Sequence, residues 1–233
     1  MSVSLAPVIV ARSMHPDWLS NAYVVADAEG GTAVFVDAGA DPGPLVAAVE
    51  AWGATPAAIL RTHAHHDHVA FEDELRERFG VAVVAEPGEW DFGGIHVRGI
   101  ATPGHSDDMV AFVAGDEIVF TGDTLFKDAV GGGDPARVRS SVMDVFKTLP
   151  DEMQVLPGHT EETTIGREWE ENPFVRVWRG VEPELGEAVR VGGEEATLVV
   201  WSPDYDGKGK AWVRFADGRD AIVGGSRVER KED

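Results

Sequence analysis

Residues 62–68 read Thr-His-Ala-His-His-Asp-His, which puts four of the chain's eight histidines and one aspartate within seven positions. No helix or strand needs that density of imidazole. The cluster is entered from an apolar strand, "AAILRTH" (57–63), and left through a helix, "FEDELRERFG" (71–80). Alternate residues of extended chain share a face, so His63 and His65 point to one side. Asp67 and His68 fall on the turn entering the helix. One loop can therefore offer a ligand pair to each of two nearby metal ions. A catalytic zinc usually takes three protein ligands plus water, so each pair needs help from elsewhere in the chain.

Three further donors stand at strand ends: His105 in "TPGH", Asp123 in "TGD" and His159 in "LPGH". Three histidines with Asp123 could hold one ion, and Asp67, His68 and His159 a second, with Asp123 bridging the two. The chain has no cysteine, which excludes disulfides, thiolate zinc sites, iron–sulfur clusters and a cysteine nucleophile. Nitrogen and oxygen donors suit zinc, iron, manganese or nickel. His66 is out of phase with the ligand pattern and reads as a supporting or exposed residue. His15 and His96 have no partner motif.

The donors sit on an alternating framework. Strands are expected at 6–12, 21–27 and 31–39, a helix at 41–53, and strands at 57–63 and 81–86 around the helix 71–80. A strand and turn follow at 94–105, then a hairpin at 109–123. A helix at 134–150 has Asp134 as N-cap and Pro135 in its first turn. A strand at 154–160 and a polar helical segment at 163–180 complete the pattern. This is an α/β sandwich of mixed sheets covered by helices. From residue 184 the texture becomes purely β, so the expected organisation is a catalytic domain at 1–183 and a small barrel-like appendage at 184–233. Trp201, Tyr205, Trp212 and Phe215 could form an aromatic contact patch there, or dock the appendage. The triple glycine 131–133 lacks phosphate-loop spacing and reads as a flexible turn.

A formal net charge of −21 disfavours nucleic acid and anionic membrane surfaces. The first twenty residues show no signal peptide, and no stretch approaches the ~18 apolar residues of a membrane span. The expectation is a soluble cytoplasmic protein acting on a small molecule, with a homo-oligomer left open.

In order, "THAHHDH", "TPGH", "TGDTLF" and "LPGHT" resemble the motifs of the metallo-β-lactamase-fold hydrolases, over roughly residues 5–178. The resemblance implies a four-layer αβ/βα sandwich with a two-metal site at one edge. It assigns His63, His65 and His105 to the first metal, Asp67, His68 and His159 to the second, and Asp123 as the bridge. Asp37 in "VDAG" resembles the buried aspartate that orients a ligand histidine. The segments "TGDTLF" (121–126) and E-x-x-x-N-P-F-V-R (168–176) are most similar to the glyoxalase II (hydroxyacylglutathione hydrolase) branch. That branch continues with a Cys-Gly-Arg/Lys segment and a helical C-terminal region, where this chain has "KDAVGGGD" and β structure. Lys127 and Arg137 are the only basic candidates near the site.

The chemistry implied is metal-dependent hydrolysis of a thioester, ester or lactone. Two divalent ions, zinc first and iron or manganese next, would share a hydroxide that attacks the carbonyl. Asp67 could orient that hydroxide or relay its proton. The alternative is a mononuclear non-haem iron oxygenase like the persulfide dioxygenases. They share the ligand set but carry an Arg-Thr-Asp-Phe segment that this chain lacks. A third reading makes the β appendage a partner-binding module and the metal structural.

Overall fold

The computed structural model describes residues 8–230, so residues 6 and 7 of the first expected strand lie outside the described residues. Strands β1 (Ile9–Met14), β2 (Asn21–Ala26) and β3 (Thr32–Val36) form an antiparallel meander. β4 (Thr55–Leu60) and β5 (Ala82–Val84) extend it in parallel. Each parallel step requires a crossover, and helices supply it. Helix α1 (Gly43–Trp52) joins β3 to β4, and α2 (His66–Val69) with α3 (Glu72–Phe79) joins β4 to β5. Helix α1 ends on Gly53 at φ 62°, a left-handed cap that glycine adopts at little cost.

The second sheet contains β6 (Gly88–Phe92), β7 (Ile95–Ala101), β8 (Val110–Ala114) and β9 (Ile118–Gly122). A short hairpin, β10 (Leu125–Phe126) with β11 (Ala129–Val130), and helix α4 (Pro135–Ser140) then precede β12 (Gln154–Pro157) and β13 (Thr163–Thr164). The sheet order is β13-β12-β9-β8-β7-β6, with β12 parallel to β9. Helices α5 (Ile165–Glu171) and α6 (Pro173–Trp178) follow.

Three apolar layers produce the sandwich. Tyr23, Val25, Val34 and Leu60 of the first sheet meet Val97, Phe112, Phe120 and Leu156 of the second. The outer face of the first sheet packs Val24, Phe35 and Ile59 against Leu45 and Val49 of α1 and Leu75 of α3. The outer face of the second packs Val113, Val119 and Val155 against Val138, Phe146, Ile165 and Phe174. The order helix, sheet, sheet, helix is the expected αβ/βα arrangement. No helix among the described residues is long and apolar enough to cross a membrane.

Some local expectations are corrected. Strand β6 was not anticipated, because its charged residues alternate with Trp90 and Phe92, whose rings pack toward the inter-sheet core. The helix begun by Asp134 is regular only to Ser140 and continues as a π turn over Ser141–Val145. The helical run 163–180 is broken in two at Asn172, whose side chain caps α6 through Phe174 N–H.

Residues 187–230 form one antiparallel sheet: β14 (Glu187–Val191), β15 (Glu194–Ser202), β16 (Lys210–Phe215), β17 (Asp220–Gly224) and β18 (Val228–Arg230). The edge strands β17 and β18 are joined by only three residues, Gly225–Arg227. A flat sheet would separate its edges by roughly 19 Å, further than so short a 3-10 turn reaches. The sheet is therefore curled nearly closed. A bulge between Leu198 and Val200 splits the strand's duties. Leu198 stays in the sheet's own core, while Val199 and Val200 pack into the core of the second sheet and its helices.

Candidate metal centre

Five histidines and two aspartates converge where β4, β7, β9 and β12 end. The residues suggested by the sequence fall into three overlapping groups: His63, His65 and His105; His63, His68 and Asp123; and Asp67, His68 and His159. Asp123 lies between them. Its Oδ2 is 3.5 Å from His105 Nε2 and 3.4 Å from His159 Nε2, and its Oδ1 is 3.3 Å from His68 Nε2. Asp67 Oδ2 is 3.4 Å from His159 Nε2 and 3.8 Å from His68 Nε2.

The surroundings fix which ring nitrogen faces inward. His68 Nδ1 donates to Asp37 Oδ2 at 2.8 Å. His105 Nδ1 donates to the Gly132 carbonyl at 2.8 Å, and His159 Nδ1 to the Leu19 carbonyl at 3.0 Å. Thr62 spends its single hydroxyl proton on Asp37 Oδ2 at 2.8 Å, so its oxygen accepts from His63 Nδ1 at 3.1 Å. A neutral imidazole has one N–H, so in each ring Nε2 is left as a bare acceptor. His65 presents Nδ1 instead, 3.0 Å from His63 Nε2 and 2.9 Å from His105 Nε2.

These atoms fit a metal. Three acceptor nitrogens converge with no protein donor between them, at nearly the ~3.3 Å spacing that a tetrahedral zinc imposes on nitrogens ~2.05 Å away. Asp123 Oδ1 and His68 Nε2 are buried with no hydrogen-bond partner, as atoms reserved for an ion would be. Gly158 keeps the space open: a Cβ there would lie 2.2 Å from Asp123 Oδ1 and 2.7 Å from His68 Cε1.

The electrostatics agree. Burial, with no carboxylate in direct contact, lowers His63 to about 4. Burial also opposes charge on His159, yet the Asp123 carboxylate outweighs it and raises this ring to about 9. His68 is raised for the same reason, by Asp123 and Asp37 against its own desolvation. Desolvation would push Asp123 up, but His159 and His68 hold it well below the usual carboxylate range. In metal-free protein, protons thus take the positions where positive charge is wanted.

Asp37 is the organiser. It is buried, and it accepts from Thr62 N–H at 2.7 Å as well as from the Thr62 hydroxyl and His68. It holds a left-handed backbone, φ 55°. Of the other non-glycine residues with positive φ among the described residues, Leu19 accepts from His159 through its carbonyl and Thr160 follows His159 in the chain, while Asp128 lies in the β10–β11 turn. Such conformations cost about 1–2 kcal/mol each and concentrate where geometry is over-determined. Asp108, which sequence reasoning missed, accepts from Ala64 N–H at 2.9 Å and anchors the loop between His63 and His65.

Other expectations resolve differently. His66 is exposed and its ring meets Trp18 edge-on, while Trp18 stacks on His15. His96 pairs with Asp91 away from the cluster. Lys127 and Arg137 are committed to Glu161 and Asp107. The triple glycine is not a loose turn. A Cβ on Gly131 would lie 1.8 Å from the Asp123 carbonyl, and one on Gly133 would lie 2.2 Å from the Gly104 carbonyl. Gly133 also pairs in antiparallel fashion with Ile222 of β17. Glu168 and Asn172, the first and fifth residues of 168–176, are buried and brace the β10–β11 turn through Asp128 N–H and the Ala129 carbonyl.

Comparison with known proteins places the chain in a family. The metallo-beta-lactamase superfamily model matches residues 15–99. A probable metallo-hydrolase of Bacillus subtilis is 32% identical over 163 residues, which span 53% of this chain and 77% of that protein. The chain belongs to the metallo-β-lactamase superfamily. Within this superfamily, a hydroxyacylglutathione hydrolase of Acidiphilium cryptum is 36% identical over 160 residues, 60% of this chain and 65% of its own. The solved structure of TTHA1623 in a di-iron-bound form superimposes with a TM-score of 0.59 at 32% identity, covering 70% of this chain and 98% of that one. These superfamily relatives support a metal-dependent hydrolase.

Proposed function

We propose that the protein is a dinuclear hydrolase of thioesters, esters or lactones. The observation that carries this reading is the position of Asp123, whose one carboxylate oxygen faces both His105 and His159 at nearly equal distance. That is the placement required of a bridge between two ions. His63, His65 and His105 would hold one ion, and Asp67, His68 and His159 the other. Two divalent ions, zinc foremost, would supply the Lewis acidity that makes water nucleophilic near neutral pH and polarises a carbonyl. The relative in Acidiphilium cryptum supports a thioester among the candidate substrates.

The chain's own residues carry the rest. Asp37 and Thr62 hold His63 and His68 in the tautomers that leave Nε2 bare. Asp67 is about one-third exposed, so it can reach a substrate or water as well as an ion. It is the residue placed to orient the attacking water and accept its proton. Its carboxyl is held below the usual range despite desolvation, by His159 and His68, so it stays ionised at neutral pH. No side-chain nucleophile is required.

The test is metal content of protein purified without added metal or chelator, followed by a thioester, ester and lactone panel. About two equivalents of divalent metal, with hydrolysis reduced at least ~100-fold in His105→Ala and Asp67→Ala, is the expected result. About one equivalent of iron alone, with oxygen uptake on a persulfide, would replace this reading by the oxygenase.

A further inference from the structure

The curled sheet at residues 187–230 reaches into the metal centre through the loop joining β15 to β16. Tyr205, on that loop, lies face to face with His159, ring centroids 4.0 Å apart and planes 11° apart. Phe126 meets both rings edge-on, at 6.0 Å from Tyr205 and 5.7 Å from His159. The loop is held firmly. Lys210, nearly buried, pairs with Asp204 at 2.9 Å, and its ammonium lies 5.4 Å from the Tyr205 ring centroid. Gly209 carries φ 83° with Trp201 packed where a Cβ would stand, and its carbonyl accepts from Gly225 N–H.

Beside this tyrosine opens a cavity of about 450 Å³. Met14, Leu19, Pro203 and Tyr205 provide its apolar wall. The acids around it are neutralised within the protein: Asp128 by Arg167, Glu161 by Lys127 and Asp204 by Lys210. Among the described residues, the one lining cation without a carboxylate partner is Arg12, which donates to the Thr160 carbonyl at 3.4 Å; a single guanidinium is too little for a polyanionic ligand on a chain that carries −21. Met14, on the cavity's rim, is 49% exposed and adds to its apolar lining.

We propose that this cavity is the substrate pocket, that Tyr205 is its wall, and that it takes an uncharged aliphatic acyl or leaving group. The proposal rests on the hydrolase reading above and adds its substrate class. A group bound there lies against the tyrosine while its carbonyl reaches the metal centre past His159. The C-terminal sheet then supplies half of the recognition surface.

The chain has two tyrosines, Tyr23 and Tyr205, so biosynthetic 3-fluorotyrosine gives two ¹⁹F resonances, assigned with Tyr205→Phe. Tyr23 is buried and donates to the Pro157 carbonyl at 2.8 Å, and so serves as reference. Hexanoate and acetate are titrated into the zinc-loaded protein. Both carboxylates can reach the metals, but only hexanoate has a chain to fill the pocket. Hexanoate should shift the Tyr205 resonance saturably, at a concentration at least ~10-fold lower than acetate needs. Equal responses, or none, overturn the proposal.

Kinetics give the second readout. The kcat/KM preference for hexanoyl over acetyl thioesters should exceed ~10-fold, persist in Tyr205→Phe and collapse in Tyr205→Ala with metal content unchanged. A Tyr205→Ala variant that loses metal, or slows both substrates equally, would make the tyrosine a prop for His159 and overturn the pocket. Wild-type protein that hydrolyses nothing in the thioester, ester and lactone panel would sink the hydrolase reading while leaving the resonance result standing.

Discussion

Substituting Asp37 by Asn isolates what a single buried carboxylate does for the two metal positions. Oδ2 accepts two donors, the Thr62 hydroxyl and His68 Nδ1, each at 2.8 Å, while Oδ1 accepts Thr62 N–H at 2.7 Å. An asparagine has one oxygen for these two positions. If the oxygen stays with Thr62 N–H, the amide NH₂ faces His68 Nδ1–H, and His68 must switch tautomer. Its Nε2 then carries the proton and cannot ligate. If the amide turns over, a buried Thr62 N–H is orphaned at about 1–3 kcal/mol and the loop carrying His63 loosens. Asparagine tolerates the left-handed backbone at φ 55° as aspartate does, so strain does not confound the result. Losing such an orienting partner costs about 10- to 100-fold in metal affinity, roughly 1.4–2.7 kcal/mol. Zinc affinity is measured by chelator competition, with bound metal counted by mass spectrometry. Both equivalents should bind more weakly than in the wild type, the His68-dependent one by at least tenfold, because each arrangement of the amide also disturbs Thr62 and with it His63. Two equivalents at unchanged affinity would refute the tautomer reasoning.

Two further outcomes follow from the site. Metal-free His159 titrates at about 9 against an ordinary value near 6.5, so its stabilising contribution is full below pH 6.5 and lost as pH rises through about 9. His63, lowered to about 4, contributes above pH 6.5 and loses that contribution as pH falls through about 4. Zinc binding at pH 7 must therefore expel a proton from His159. Calorimetry in buffers of different ionisation enthalpy should show proton release that fades above about pH 9, and no release at pH 7 would contradict the assignment. Gly133→Ala forces a Cβ to 2.2 Å from the Gly104 carbonyl at φ 137°, which should lower Tm by about 5–15 °C and reduce bound metal. Gly132→Ala meets only the Ile222 carbonyl at 3.3 Å and should shift Tm by less than about 2 °C, read by calorimetry on both variants.

The candidate donors were legible because ligand-bearing loops are local: a histidine at the end of an apolar strand declares both its type and its place. Asp37, at the end of β3, was legible only through the family resemblance. What escaped depends on contacts between distant segments. Tyr205 reads only as one of four aromatics that form a patch or dock the appendage, and nothing in "SPDYDGKGK" says that His159, 46 positions earlier, lies beneath its ring. The triple glycine read as freedom, since glycine is permissive alone, whereas here it marks backbone crowding against Asp123 and Gly104. Asp108 was hidden because an aspartate accepting one backbone N–H has no spacing signature. The broken helix at 163–180 could have been found: Asn172 before Pro173 is a cap followed by a first-turn proline.

The seam between Gly133 and Ile222, together with the ring pair of His159 and Tyr205, has a consequence for the order in which the protein is made. A ribosome delivers residues 63–159, with every candidate donor, before the segment that carries Tyr205 and Ile222. Domains fold as they emerge, so a nascent or clipped chain can assemble its charge cluster while one wall of the cavity is still missing. If Tyr205 is the pocket wall proposed above, such a chain would present its candidate donors without the ring that packs on His159.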